Sequence, residues 1–94
     1  MKIFRQGDIL VKEVSEIKGE LSNNHILAFG EVTGHSHRIQ GTVQVFRNNQ
    51  ETFLQVEEAE LVHDEHEAIT IPKGNYQVVI QREYSPISER QVMD

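Results

Sequence analysis

Residues 68–84 read AITIPKGNYQVVIQREY and contain two short β-rich runs separated by a turn sequence. Pro72 and Gly74 are residue types that tight turns favour. Alternate residues of a β-strand project from opposite faces, so Tyr76, Val78, Ile80, Arg82 and Tyr84 of the second run share one face. The pattern therefore predicts a strand over 68–71, a turn, and a strand over 76–84 whose apolar face contains Tyr76, Val78 and Ile80.

Comparable β-rich runs occur upstream, separated by polar, turn-forming residues. The runs over 43–46 and 52–56 flank the polar connection Arg47–Glu51 and predict a β-hairpin. About six to eight short strands in a chain of this kind are typical of a small β-barrel or sandwich. Because 94 residues build one core, we expect a single all-β domain over residues 1–94. The other predicted strands cover residues 9–14, 25–32 and 59–63.

Two segments are predicted to lie outside the strands. Residues 15–24 contain turn formers and few apolar side chains, which predicts a loop with one helical turn that groups Val14, Ile17 and Leu21. In the segment 85–94, Ser85 and Pro86 suit the cap and the first position of a short helix. A frayed tail is the alternative for this segment.

The composition excludes several classes of site. The chain contains no cysteine, which rules out disulfides, thiolate zinc sites and thiol nucleophiles. Met1 is followed by a charged segment instead of an apolar leader, and the longest apolar run, Ile26–Phe29, is far shorter than a membrane span. We therefore expect a cytoplasmic protein with no membrane partner. Because the core of so small a domain is thin, homodimerisation would be a natural supplement.

The net charge of −6 is concentrated in one segment. Residues 57–67 contain six carboxylates and no lysine or arginine. Proteins that bind nucleic acid non-specifically need basic side chains to displace counterions from phosphate. The charge balance thus argues against a general nucleic-acid binder, although an RNA-directed enzyme with a few well-placed groups remains compatible with it.

Four of the five histidines form two close pairs. His35 and His37 would project from the same face of a strand, and Gly34 before them permits unusual backbone angles where a ligand approaches. His63 and His66 would converge if Asp64-Glu65 formed a bulge or turn. The leading hypothesis is a divalent metal site for Zn, Fe or Ni with His35, His37, His63 and His66 as ligands.

Two other functions fit the same residues. A metal-independent ribonuclease would use histidines that titrate near neutrality as acid and base, with His35, His37 and Tyr84 as its catalytic residues. A non-enzymatic module would bind a protein or a small ligand through ordinary polar contacts. The histidines also have a purely structural interpretation, because His63 and His66 fit an exposed acidic turn and His25 fits a polar loop.

The motif His35-Ser36-His37, followed downstream by Ile71-Pro72-Lys73-Gly74, resembles a reduced cupin. Cupins are small β-barrels that often bind a divalent metal through His-x-His, a later Glu and a further His. The resemblance implies a barrel, but Gly41 and Thr42 stand where the motif has Glu, and Gln77 stands where it has the later His. It therefore implies the fold more strongly than the metal site.

A second resemblance rests on three segments that span most of the chain. They are Arg5-Gln6-Gly7-Asp8, Gly30-Glu31-Val32-Thr33-Gly34-His35-Ser36-His37 and Gln81-Arg82-Glu83-Tyr84. Together they resemble a group of short bacterial and phage proteins of uncharacterised function. The resemblance implies a distinct family marked by the Gly-His-x-His motif, and it implies no activity.

Overall fold

The computed structural model describes residues 1–29 and 36–81, and these residues form eight β-strands and no helix. The all-β prediction with six to eight short strands is confirmed. The segment 85–94 lies outside the described residues. In chain order the strands are β1 (Ile3–Gln6), β2 (Ile9–Glu13), β3 (Glu20–Ser22), β4 (Ile26–Phe29), β5 (Ser36–Arg47), β6 (Thr52–His63), β7 (Ile69–Ile71) and β8 (Gly74–Ile80).

The β5–β6 hairpin forms the centre of the sheet, and each of its strands is 12 residues long. The predicted connection at Arg47–Glu51 is confirmed, because Asn48 Oδ1 accepts hydrogen bonds from the backbone of the two residues that end the loop. The runs predicted as separate strands over 52–56 and 59–63 are one strand. A bulge interrupts the strand in its middle, since Thr42 pairs with Glu58 and Val43 pairs with Val56, which leaves Glu57 as the extra residue.

The strands β7 and β8 both lie on one edge of β6. β7 pairs with Ala59–Leu61 and β8 pairs with Thr52–Val56, so the two run in line and do not form a hairpin with each other. The sequence 72–75 was predicted to reverse the chain. It instead interrupts a nearly continuous strand opposite the bulge at Glu57, whose carboxylate lies 3.8 Å from Lys73 Nζ.

The strands β3 and β4 follow the outer edge of β5 in the same way. β3 pairs with Val45–Arg47 and β4 pairs with Ser36–Arg38. The helical turn predicted within 15–24 is wrong, because β3 lies there and Leu21 is 60% exposed. The connection between these strands is held by the Arg47 guanidinium, which donates to the hydroxyl of Ser22 and to the carbonyls of Asn24 and Ile26.

The remaining strands complete an open sheet. β1 and β2 form a hairpin with the two-residue turn Gly7-Asp8, and β2 pairs on its other side with β8. The strand order is β1-β2-β8-β6-β5-β3, and the first and last strands of this order do not pair with each other. Within the described residues the sheet therefore does not close into a barrel. The sheet nevertheless curls, because β1 contacts β7 and Gln6 of β1 donates to the carbonyl of Leu61 in β6.

The core lies on the inner side of this curled sheet. Tyr76 is fully buried, which confirms the predicted apolar face at the start of β8, whereas Ile80 is exposed near its end. Fully buried aliphatic side chains come from β2, β5, β6 and β7, and include Ile9, Val11, Val45, Leu54, Leu61 and Ile71. Within residues 1–29 and 36–81 no helical segment has the length and apolar character needed to span a bilayer.

Candidate functional site

The pairing of β5 with β6 places His37 directly opposite His63. Their ring centroids are 4.3 Å apart and their planes are inclined by 38°. The bulge at Glu57 determines this arrangement, because buried residues occupy positions 54 and 56 before it and 59 and 61 after it. One extra residue exchanges the two faces of a strand. Without it, His63 would lie on the outer face of the sheet.

A bend over residues 64–66 returns the chain toward the same place. It brings the His66 ring to 4.6 Å from the His63 ring and to 6.0 Å from the His37 ring, measured between centroids. The backbone amide of Glu65 donates a 3.0 Å hydrogen bond to His63 Nδ1 inside this bend. The predicted convergence of the second histidine pair through a turn at Asp64-Glu65 is therefore present in the structure.

The three rings lead from the core to the surface. His37 is 1% exposed, His63 is half-buried and His66 is exposed. We call His37, His63 and His66 the histidine cluster. The cluster thus places one buried imidazole beside two more exposed ones.

Gln6, the last residue of β1, connects the histidine cluster to the surrounding backbone. Its amide nitrogen donates to the carbonyls of Leu61 and Glu67, at 3.0 and 2.8 Å. Its amide oxygen lies 2.9 Å from His37 Nδ1. Gln6 is 3% exposed, and these contacts satisfy a polar side chain that would otherwise be costly to bury.

The Gly7-Asp8 turn covers the cluster from the other side. Asp8 Oδ1 lies 3.4 Å from His37 Nε2. Gly7 has φ of 61°, and a Cβ added there would lie 2.9 Å from His66 Nε2 and 3.4 Å from His37 Nε2. Imidazole nitrogens of two different residues thus lie against Gly7, at the place that a side chain there would occupy.

Burial lowers the pKa of His37 below its ordinary value of 6.5. The neighbouring His63 lowers this pKa further, because two imidazolium ions so close together would repel each other. The carboxylate of Asp8 opposes these effects by favouring the protonated ring, but the net pKa shift remains downward. His37 is accordingly neutral near pH 7, which is the form that binds a metal or accepts a proton.

The structure unites three of the four predicted ligands, His37, His63 and His66. His35 and Tyr84 lie outside the described residues. Lys73 lies beside Glu57 at the bulge of β6. Gln77, which stands where the cupin motif has its later His, donates a hydrogen bond to the Glu51 carboxylate and is not part of the histidine cluster. Among residues 1–29 and 36–81, no group of three or more His, Asp or Glu side chains is arranged to hold a metal ion.

The sequence did not predict that Gln6, Gly7 and Asp8 would belong to the site. One signal was available, because Gln6 interrupts an alternating strand just before a Gly-Asp turn and therefore places a polar side chain next to the core. Its partners could not be deduced, because they are distant in the chain, with His37 at a separation of 31 and Leu61 and Glu67 at separations of 55 and 61.

Comparison with known proteins identifies a family whose function is not known. A family model described as a domain of unknown function, DUF8820, matches residues 5–81. The chain belongs to this family. The match includes the strands and the turn that carry the histidine cluster. No curated protein matches the chain, and no solved structure matches it either.

Proposed function

We propose that this DUF8820 protein binds a divalent metal ion at the histidine cluster, with His37 Nε2 and Asp8 Oδ1 as the first two ligands. The observation that carries the proposal is the 3.4 Å separation of these two atoms. A charge-assisted N–H···O hydrogen bond is shorter, at ~2.7–2.9 Å. Two ligands held ~2.0–2.1 Å from a tetrahedral zinc ion lie ~3.4 Å apart, which matches the separation.

His66 is the third ligand in this proposal. Its Nε2 faces the same glycine as His37 Nε2, and its side chain is exposed on the bend. Completing the site requires His66 to shift toward the His37–Asp8 pair. The bend already holds the His66 ring 6.0 Å from the His37 ring, measured between centroids.

In this proposal His63 is not a ligand and supports the position of His37. Its Nδ1 accepts the hydrogen bond from the amide of Glu65, so the neutral ring carries its proton on Nε2. An imidazole nitrogen that carries a proton does not bind a metal. His63 therefore packs against the ligand His37 and limits the movement of its ring.

Metal content is the direct test. The protein, purified without an affinity tag or chelator, should contain near-stoichiometric zinc, iron or nickel, or should take up one of these ions on dialysis. The variants His37→Ala, His66→Ala and Asp8→Asn should each lower the affinity for the ion at least tenfold. His25→Ala is the matched control, because His25 lies between β3 and β4 and outside the cluster.

Two outcomes contradict the proposal. One is that the wild-type protein neither contains nor takes up any of the three ions. The other is that His25→Ala reduces binding as much as His37→Ala does, which would indicate adventitious binding. The same measurement on His35→Ala tests the sequence-based prediction that residue 35 supplies a ligand.

The contact between His63 and His37 favours a second candidate, metal-independent acid–base cleavage of RNA. In this function His37, whose lowered pKa leaves it neutral at pH 7, would accept the 2′-hydroxyl proton, and His63 in its doubly protonated form would give a proton to the leaving oxygen. A proton donor beside a proton acceptor is what such catalysis needs. Cleavage of a fluorogenic RNA that persists in EDTA and disappears in His63→Gln would support this function. Absence of cleavage by the wild-type protein would retire it.

A further inference from the structure

Gln6 uses three of the four hydrogen-bonding positions of its amide. Both amide hydrogens are donated, one to the carbonyl of Leu61 and one to the carbonyl of Glu67. These two acceptors fix the orientation of the amide, because exchanging its oxygen and nitrogen would place oxygen against two carbonyls. The amide oxygen therefore faces His37 Nδ1, at 2.9 Å.

This orientation determines the tautomer of His37. An amide oxygen only accepts hydrogen bonds, so the nitrogen facing it must carry the proton. In neutral His37 the proton lies on Nδ1 and the lone pair lies on Nε2. The lone pair thus belongs to the nitrogen that is close to Asp8 Oδ1 and to the space beside Gly7.

We infer that Gln6 is a positioning residue that fixes the Nδ1–H tautomer of His37 and, through Glu67, the place of His66. Leu61 and Glu67 lie on either side of the segment that contains His63 and the bend with His66, so one side chain holds both ends of this segment. The functional part of the inference rests on the proposed metal site. The tautomer itself does not depend on it.

Other side chains cannot replace these three contacts together. Glutamate keeps the acceptor for His37 Nδ1 but cannot donate to the two carbonyls when it is ionised. Methionine has a similar length and makes none of the three bonds. The variants Gln6→Glu and Gln6→Met therefore separate the tautomer from the position of the bend.

The experiment measures imidazole ¹⁵N chemical shifts of the metal-free protein at about pH 8, followed by zinc affinity. In the wild type and in Gln6→Glu, His37 should show a protonated Nδ1 and an unprotonated Nε2. In Gln6→Met the two tautomers should mix. Both variants should bind zinc ~10–100-fold more weakly, the range known for residues that orient metal ligands. Gln55→Met, at an exposed position of β6, is the matched control and should change neither measurement.

The inference is overturned if wild-type His37 carries its proton on Nε2, or if Gln6→Met folds and keeps the wild-type tautomer. Should Gln6→Met fail to fold, the comparison of the wild type with Gln6→Glu still decides, because a changed tautomer in Gln6→Glu contradicts the argument. A wild-type protein that binds no zinc but has the expected tautomer contradicts the proposed function and leaves the role of Gln6 in setting the tautomer supported.

Discussion

At the scale of single residues, Gly7 is where backbone conformation and the candidate site meet. Its φ of 61° lies in the left-handed region, and its missing side chain leaves the space that the Nε2 atoms of His37 and His66 face. A two-residue hairpin turn needs the left-handed backbone conformation, and a ligand that approaches the cluster needs the absence of a side chain. Two substitutions at this position separate these requirements.

Gly7→Ala should lower the free energy of unfolding by ~1–2 kcal/mol, because an L side chain is disfavoured in the left-handed region. It should also weaken zinc binding, since the added methyl would lie 3.1 Å from Cε1 of the buried His37 ring. Urea denaturation and zinc titration measure the two effects.

Gly7→Asn is the matched control for that prediction. Asparagine tolerates the left-handed region better than alanine does, but it still adds a Cβ. It should recover part of the stability and none of the zinc affinity. Full recovery of zinc affinity in Gly7→Asn would show that the space beside Gly7 is not part of the site.

At the scale of the strands, the middle of the β5–β6 hairpin controls which side chains reach the core. Gly41 stands opposite Ala59, beside the bulge, and has φ of 119°. A Cβ at this position would come within 2.4 Å of the Glu58 carbonyl oxygen and 2.9 Å of Ala59 Cα. Both obstacles are backbone atoms, so neither can rotate away.

Gly41→Ala should therefore destabilise the protein by ~2 kcal/mol or more, since strain at such a conformation adds to the collision with backbone. The measurement is the urea midpoint with its slope. Gln40→Ala, at the neighbouring exposed position, is the control and should stay within ~0.5 kcal/mol of the wild type. Equal midpoints for the two variants would show that the hairpin does not approach itself closely at Gly41.

The strand positions were largely predictable from sequence, and the strand partners were not. The hairpin around Arg47–Glu51 follows from local alternation and a polar turn. The bulge at Glu57 appeared in the sequence only as a gap between two apparent strands. The pattern Pro72-Lys73-Gly74 indicates a chain reversal by its residue types, but the in-line course of β7 and β8 depends on their shared partner β6, which local sequence does not specify.

The candidate site was predictable to a similar extent. From the spacing, His63 and His66 would converge only if Asp64-Glu65 formed a bulge or turn, and the structure has a bend there. The contact of His37 with His63 depends on the register of two 12-residue strands and on one bulge between them. The contributions of Gln6 and Asp8 depend on the curl of the sheet, which brings β1 over the end of β6.

At the scale of the whole molecule, the buried histidine couples stability to pH. The folded state lowers the pKa of His37 below 6.5, so the unfolded state binds more protons as the pH falls through this value. The contribution of neutral His37 is fully present above pH 6.5 and is lost as the pH falls toward the lower pKa of the folded state.

In EDTA, the free energy of unfolding should fall more steeply below pH 6.5 in the wild type than in His37→Gln. Urea denaturation at a series of pH values from about 8 to 5.5 measures the difference between the two curves. The curve for His25→Gln should follow that of the wild type. Parallel curves for the wild type and His37→Gln would contradict the lowered pKa.

The pairing of β2 with β8 has a consequence for how the chain acquires its structure during synthesis. The Arg5 guanidinium donates to the side-chain oxygen of Gln81, 76 residues away. The backbone N–H of Gln81 donates to the backbone carbonyl of Asp8. Contacts so distant in sequence close last and slowly. A ribosome must release β8 before the Gly7-Asp8 turn gains its support, so a growing chain can form the central hairpin before β8 supports this turn.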